Sequence, residues 1–158
     1  MDFRELVSEF NRADKSFNLY MLCSSLLILK IMVLIVFTIL TRMRNKVFIS
    51  EEDAKFFKGE VKINDDVERI RRAVQNDLEN ILPFLLIAYL YLYTNPPSWL
   101  VHLLFITFVV VRILHSIVYA VFVLPQPTRA VLWAIGFGIT LLMTCIIFFK
   151  SLQASFNN

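Results

Sequence analysis

Cysteine, glycine, proline and, in one half of the chain, negative charge are what this sequence has little of. Its 158 residues include 2 cysteines, 3 glycines and 5 prolines, and none of the 13 acidic residues lies beyond Glu79. Each shortage excludes something. Cys23 and Cys145 both sit inside apolar runs, so they offer neither a disulfide framework nor metal-ligand spacing and read as buried structural thiols, with no metal expected. Scarce glycine and proline leave few places for the backbone to break, which favours long helices. No segment joins low hydrophobicity to high net charge, the composition of disorder. Past Glu79 the only permanent charges are Arg112, Arg129 and Lys150, so that half lacks the solvated basic face that nucleic-acid binding needs, and no nucleic acid is expected as a partner. With 58% hydrophobic and 18% charged residues, against about 45–50% and about 25% in soluble domains, the composition excludes an ordinary water-soluble protein. The length suits one domain, residues 1–158.

What is present instead is a set of apolar runs. Leu19–Leu40 contains a single charge, Lys30, and its 22 residues extend about 33 Å as a helix, enough for a hydrocarbon core of about 30 Å. Trp99–Leu124 holds one permanent charge, Arg112, and Ala130–Phe149 holds none. Ile81–Tyr93 is too short alone, but its helical pattern extends back to about Asp66, giving a long helix with a polar first half. The expected fold is an all-α transmembrane bundle of four helices, spans about 19–40, 66–94, 99–124 and 129–149. The acidic residues Asp2, Glu5, Glu9 and Asp14 ahead of the first run are unlike the basic start of a cleaved signal, so a retained anchor is expected. Turns are expected at Asn95-Pro96-Pro97-Ser98 and Pro125-Gln126-Pro127-Thr128. The one long connection, 41–65, carries Arg42, Arg44, Lys46, Lys55, Lys58 and Lys62. The positive-inside rule makes it cytosolic and, with four spans, both termini lumenal.

Ionisable groups inside such helices need a reason, since an Arg at mid-bilayer costs about 2.5–3.5 kcal/mol on insertion scales. At about 100° per residue, Arg69, Arg72, Asn76 and Glu79 fall within an arc of about 80° on the second helix, and Arg112, His115 and Tyr119 within about 60° on the third. Arg129 opens the fourth. Blander readings stand beside these. Asp65, Asp66 and Glu68 suit an acidic helix start that complements the dipole. Arg69, Arg71 and Arg72 suit lipid headgroups. Lys30 suits snorkelling or pairing between helices, and His115 with Tyr119 a buried pair. His102 reads as a headgroup contact, and Pro83 as a kink that neighbouring helices tolerate. Several guanidiniums with one carboxylate and an amide would suit glutathione, whose two carboxylates and ammonium they could clamp. Other anions, lipid headgroups among them, would satisfy most of the same groups.

The run Asp66-Val67-Glu68-Arg69-Ile70-Arg71-Arg72-Ala73-Val74-Gln75-Asn76-Asp77-Leu78-Glu79-Asn80-Ile81-Leu82-Pro83-Phe84 closely resembles the signature of the MAPEG superfamily, the membrane-associated proteins of eicosanoid and glutathione metabolism. Arg112-Ile113-Leu114-His115-Ser116-Ile117-Val118-Tyr119 resembles that superfamily's helix-three motif. Leu124-Pro125-Gln126-Pro127-Thr128-Arg129-Ala130, and Lys46-Val47-Phe48 followed by Glu52-Asp53, are similar to its branch of first-type microsomal glutathione S-transferases. The likeness spans residues of about 20 to 150.

The resemblance implies a homotrimer of four-helix subunits in the endoplasmic reticulum, with the mitochondrial outer membrane a second location. Glutathione, as co-substrate, would lie between adjacent subunits near the cytosolic face. Carried over position by position, Arg42, Arg71, Arg72, Asn76, Glu79, His115 and Tyr119 would hold glutathione, Arg129 would face its sulfur as the catalytic residue, and Arg112 would support the site from within. The implied reaction is conjugation of hydrophobic electrophiles, with reduction of lipid hydroperoxides beside it; membrane lipids and further copies of the chain are the other partners. Val74 stands where relatives often have His. A prostaglandin E synthase-like isomerase is the alternative, although that branch typically has Arg at the place of Gln75 and Ser and Tyr at those of Ala130 and Trp133. A non-catalytic lipid-presenting member of the superfamily is the other alternative. Arg129, together with Arg72, Asn76 and Glu79, favours the transferase.

Overall fold

In a computed structural model, which describes residues 3–122 and 126–156, nearly all of the chain is helical. Helix α1 runs Phe3–Asn45, α2 Glu51–Phe56, α3 Asp65–Leu92, α4 Ser98–Ser116 and α5 Thr128–Phe156. Three stretches, Lys15–Asn45, Ser98–Val121 and Thr128–Phe156, are long and apolar enough to cross a membrane. Helix α3 differs because its first half is charged, as the sequence predicts, and its start is the acidic one expected. Asn64 caps it by accepting from the backbone N–H groups of Asp66 and Val67, at 3.1 and 3.2 Å, and Asp65, Asp66 and Glu68 fill the first turn. Side-chain acceptors and negative charge there answer the unpaired amides of a helix start.

The connection after the first span is shorter and more ordered than a loop over 41–65. Helix α1 continues through Arg42 and Arg44 to Asn45, and β1 (Val47–Phe48) then pairs in parallel with β2 (Glu60–Val61) around α2. Gly59 makes this closure possible, since a Cβ there would collide with the Phe48 ring and the Lys46 carbonyl. Asn95, in the turn expected before α4, has positive φ (52°). In the second expected turn, Gln126 and Pro127 directly precede α5, whereas Leu124 and Pro125 lie outside the described residues.

Helix α3 packs against α1 and α5, and α4 against α1 and α5. The core is the seam among them: Leu27 and Ile31 of α1, Ile81, Phe84, Ala88 and Tyr91 of α3, Phe105 and Phe108 of α4, and Met143 of α5. The Phe84 and Phe108 rings stack with centroids 3.7 Å apart. Pro83 lies within α3 without ending it. Cys23 is buried as expected, but Cys145 is exposed, because it faces outward from α5 rather than into the seam. The outer surfaces of α1 and α5 are apolar, with Leu22, Val33, Val36, Phe148 and Phe149 all exposed. In a bilayer such a surface meets lipid or another subunit at no hydrophobic cost.

Helix α4 does not run on regularly to the end of the third apolar run. At Ile117 it widens into a π-helical turn, Ile117–Val121, which carries Tyr119. Such turns re-aim side chains within an otherwise regular helix and recur at functional sites.

Candidate functional site

Two places in the fold collect the polar groups singled out in the sequence. The first is a groove of about 490 Å³ between the ends of α1 and α3, lined by Ile35, Thr38 and Arg42 on one side and Arg71, Arg72 and Gln75 on the other. Helix α1 must outlast the apolar run to bring Arg42 there, which it does. Arg71 is partly engaged, donating to both carboxylate oxygens of Glu68 at 2.8 and 3.0 Å, and Arg69 donates to Asp66 at 2.9 Å. These pairs are surface i,i+3 contacts, worth about 0–1 kcal/mol each, so an arriving anion can displace them cheaply. Arg72 and Arg42 make no side-chain hydrogen bond among the described residues.

The second place is buried. The Arg112 guanidinium, 0% exposed on α4, donates through Nη2 to Asp77 Oδ1 at 2.5 Å and to Asn76 Oδ1 at 2.9 Å. Asp77, also 0% exposed, accepts through Oδ2 from Lys30 Nζ at 2.5 Å and from Ser116 Oγ at 3.0 Å. Lys30 is therefore a partner between helices, one of the two readings its position allowed. One turn on from Arg112, His115 is buried with Nδ1 unpartnered, and its ring lies 5.7 Å from that of Tyr119. The Arg129 guanidinium carbon sits 4.8 Å from the centroid of the Tyr119 ring, a cation–π contact. Arg112 Nε and Nη1 and Arg129 Nε are likewise buried without partners among the described residues. Since a buried unpaired donor costs about 1–3 kcal/mol, the three guanidinium donors suit an occupant with acceptor oxygens, while His115 Nδ1 donates or accepts according to its tautomer.

Within one chain, then, the residues expected to hold glutathione are divided. Arg42, Arg71 and Arg72 share the open groove. Asn76, His115, Tyr119 and Arg129 gather along α4 and its π-helical turn. Glu79 joins neither set: it accepts from Gln75 at 3.2 Å and borders a small pocket of about 170 Å³ between α3 and α5, with Phe137 and Thr140. The shared arc for Arg69, Arg72, Asn76 and Glu79 holds as helix geometry, but these side chains turn to different neighbours. His102 spends its Nδ1 on the Ser98 carbonyl at 2.7 Å, within its own helix.

Sequence reasoning missed Asp77, the hub of the buried set. A signal was present. By the same 100° step, Asp77 lies at the centre of an arc of about 80° otherwise made of Ile70, Ala73, Ile81, Phe84, Ala88 and Tyr91, all of them buried. A carboxylate in the middle of an apolar face requires buried partners, and Lys30 and Arg112 were the cations available in neighbouring apolar runs.

This is a helical membrane protein in which Arg42, Arg71 and Arg72 line an open groove while Arg112 is buried among the helices. The chain belongs to the MAPEG family, whose model matches residues 20–149. It is 40% identical over 136 residues to microsomal glutathione S-transferase 1 of Homo sapiens, covering 82% of this chain and 87% of that one. The Bos taurus microsomal glutathione S-transferase 1 is 48% identical over 108 residues, 65% of this chain and 69% of its own. Prostaglandin E synthase of Bos taurus is 36% identical over 119 residues, 74% of this chain and 77% of that protein.

Proposed function

We propose that this protein is a membrane-bound glutathione S-transferase that conjugates glutathione to hydrophobic electrophiles and also uses glutathione to reduce lipid hydroperoxides. The observation that carries this reading is the 40% identity to a microsomal glutathione S-transferase across most of both chains. The Arg42, Arg71 and Arg72 groove supports it, because guanidiniums free or only weakly paired are suited to a ligand's carboxylates. The similarity to prostaglandin E synthase is lower, 36%, and Gln75, Ala130 and Trp133 depart from that branch's usual residues.

In this reading Arg42, Arg71, Arg72 and Asn76 bind the carboxylates of glutathione, Glu79 takes its ammonium, and His115 and Tyr119 complete the pocket. The three separate locations within one chain fit a site closed between adjacent copies, in which Glu79 of one subunit and the groove of the next face one ligand. The assembly is a homotrimer, each subunit crosses the endoplasmic reticulum membrane four times, and α3 is the fourth span. Both termini are lumenal and the segment around Lys55 and Lys62 is cytosolic. Protease cleavage at Lys55–Lys62 from the outside of sealed microsomes is expected; cleavage only from the lumen would reverse the topology.

Catalysis then rests on the thiol. A free thiol with pKa of about 8.5 is mostly protonated at pH 7, and lowering it to about 7 takes roughly 2 kcal/mol of preferential thiolate stabilisation. Arg129, at the first turn of α5 beside backbone N–H groups left unpaired by the helix start, supplies that field. The thiolate sulfur forms the new bond to the electrophilic carbon, and the leaving group departs with its electron pair. Apolar electrophiles reach it from the bilayer. Titrating the purified protein in detergent with glutathione, while following the ultraviolet absorbance of the thiolate, tests the whole reading: saturable thiolate formation at neutral pH is expected, and its absence would overturn the transferase.

A further inference from the structure

We propose that Asp77 is a positioning residue for the ligand site, setting through Arg112 which end of the Asn76 carboxamide faces outward. The inference rests on the glutathione reading above but concerns a residue that reading does not use. Asp77 joins three helices. Its two carboxylate oxygens accept from Lys30 of α1 and from Arg112 and Ser116 of α4, while the residue itself belongs to α3. All four donors and acceptors are charged or hydroxyl groups in a dry setting, where charge-assisted hydrogen bonds are strong and directional.

Arg112 has no acceptor atom, so any group it meets must turn an oxygen toward it. Its Nη2 meets Asn76 at 2.9 Å. The Asn76 carbonyl is thereby committed to Arg112, and its –NH2 has no partner among the described residues and is left as a pure donor. Asn76 is half-buried at the border of the buried cluster and the outer face of α3, and its backbone carbonyl is held by Asn80 Nδ2 at 2.7 Å. Without Asp77, Arg112 would lose the anion that fixes its plane, and the Asn76 amide would be free to present either its oxygen or its nitrogen. An oxygen presented to a carboxylate repels it; a nitrogen binds it. Asp77 thus selects a donor for an anionic ligand without touching the ligand.

Charge bookkeeping agrees with this role. One carboxylate facing two cations leaves the cluster with one surplus positive charge, and the Nε and Nη1 donors of Arg112 have no partner among the described residues. The cluster is poised toward an anion rather than internally neutral, as a purely structural ion pair would be.

A double-mutant cycle on the full-length protein in detergent separates positioning from simple support, with glutathione titration and thermal melting as parallel readouts. Asn76→Ala in the parent is expected to weaken glutathione binding about tenfold, the loss of one hydrogen bond to a charged group. Asp77→Asn is expected to lower the melting temperature, and the folded fraction should bind glutathione about tenfold more weakly; Asn76→Ala added to it should cost less than about twofold more, because the amide's orientation is already lost. If Asp77→Asn does not fold, Lys30→Gln/Asp77→Asn, which keeps the cluster's net charge, takes its place in the cycle. Ser116→Ala, which removes one of the three groups that donate to Asp77 and keeps both ion pairs, should show the same effect at about two- to threefold, with a smaller fall in melting temperature than Asp77→Asn. Folded Asp77 variants and Ser116→Ala that bind glutathione like the parent, or losses that simply add, would overturn the positioning role and leave the transferase reading intact. A parent protein that does not bind glutathione would instead overturn that reading, before any variant is compared.

Discussion

The groove at the ends of α1 and α3 and the cluster around Asp77 are built from the same residue types, arginine with a carboxylate, yet they behave as opposites. In the groove, Arg71 pairs with Glu68 at 2.8 Å, and on the same helix, outside the groove's lining, Arg69 pairs with Asp66 at 2.9 Å. In the cluster, Arg112 and Lys30 meet Asp77 from two other helices, and both Arg112 and Asp77 are wholly excluded from solvent. Water screens the first set and makes its pairs exchangeable, so those guanidiniums can be handed to a ligand. Dehydration makes the second set costly to break, so it holds the helices and the side chains beside them in one arrangement. Recognition needs the first property and precision needs the second, and a protein of this size provides both within a few turns of α3.

The comparison can be broken first where it predicts most. Asp77→Ala strands the buried Arg112 and the largely covered Lys30, and removing one partner of a buried pair typically costs about 3–5 kcal/mol; thermal unfolding in detergent should show a large loss of stability. A variant as stable as the parent would mean that water reaches the cluster. Next comes Arg72, which lines the groove with no side-chain partner among the described residues. Arg72→Ala should weaken glutathione binding by about 1.5–3 kcal/mol while leaving melting unchanged, measured by the same titration; unchanged affinity would return the groove to lipid headgroups.

Arg129 tests the chemistry rather than the grip. Arg129→Leu should retain most glutathione binding but lose about 30-fold in rate at pH 7, equivalent to about 2 kcal/mol. The sign of the pH dependence follows from the thiol: without the guanidinium the bound thiol's pKa rises from about 7 toward its free value of about 8.5, so the loss is full below about pH 7, shrinks between the two values and disappears above the higher one. A pH–rate profile of the variant checks this. The smallest effect belongs to the surface pair. Glu68→Gln should change stability by no more than about 1 kcal/mol and leave glutathione affinity equal or slightly improved, since Arg71 is released toward the groove.

How far the sequence can be read follows the same division. Helices α1, α4 and α5 are legible because length and hydropathy alone must satisfy the bilayer, and the start of α3 is legible because Asn64 and the acids after it answer local backbone amides. The MAPEG signature around Arg72, Asn76 and Glu79 is a contiguous run, so it too is visible without a fold. Asp77 was hidden in plain view, one acid among thirteen, because its partners lie 47 and 35 residues away in the chain. The extension of α1 past Leu40 was masked by the charges of Arg42 and Arg44, which signal the end of an apolar run but not the end of a helix.

What the sequence determined by itself is therefore what depends on neighbours along the chain: membrane-spanning helices, their caps and turns, the family signature, and the arcs that its arginines share on single helices. The tertiary structure decided which of those charges are spent on one another and which remain available. That decision rests on solvent exclusion and on the meeting of α1, α3 and α4 around a single carboxylate. Both arise only when distant helices pack, since the strength of a charge interaction depends on the dielectric around it as much as on the residues that carry it.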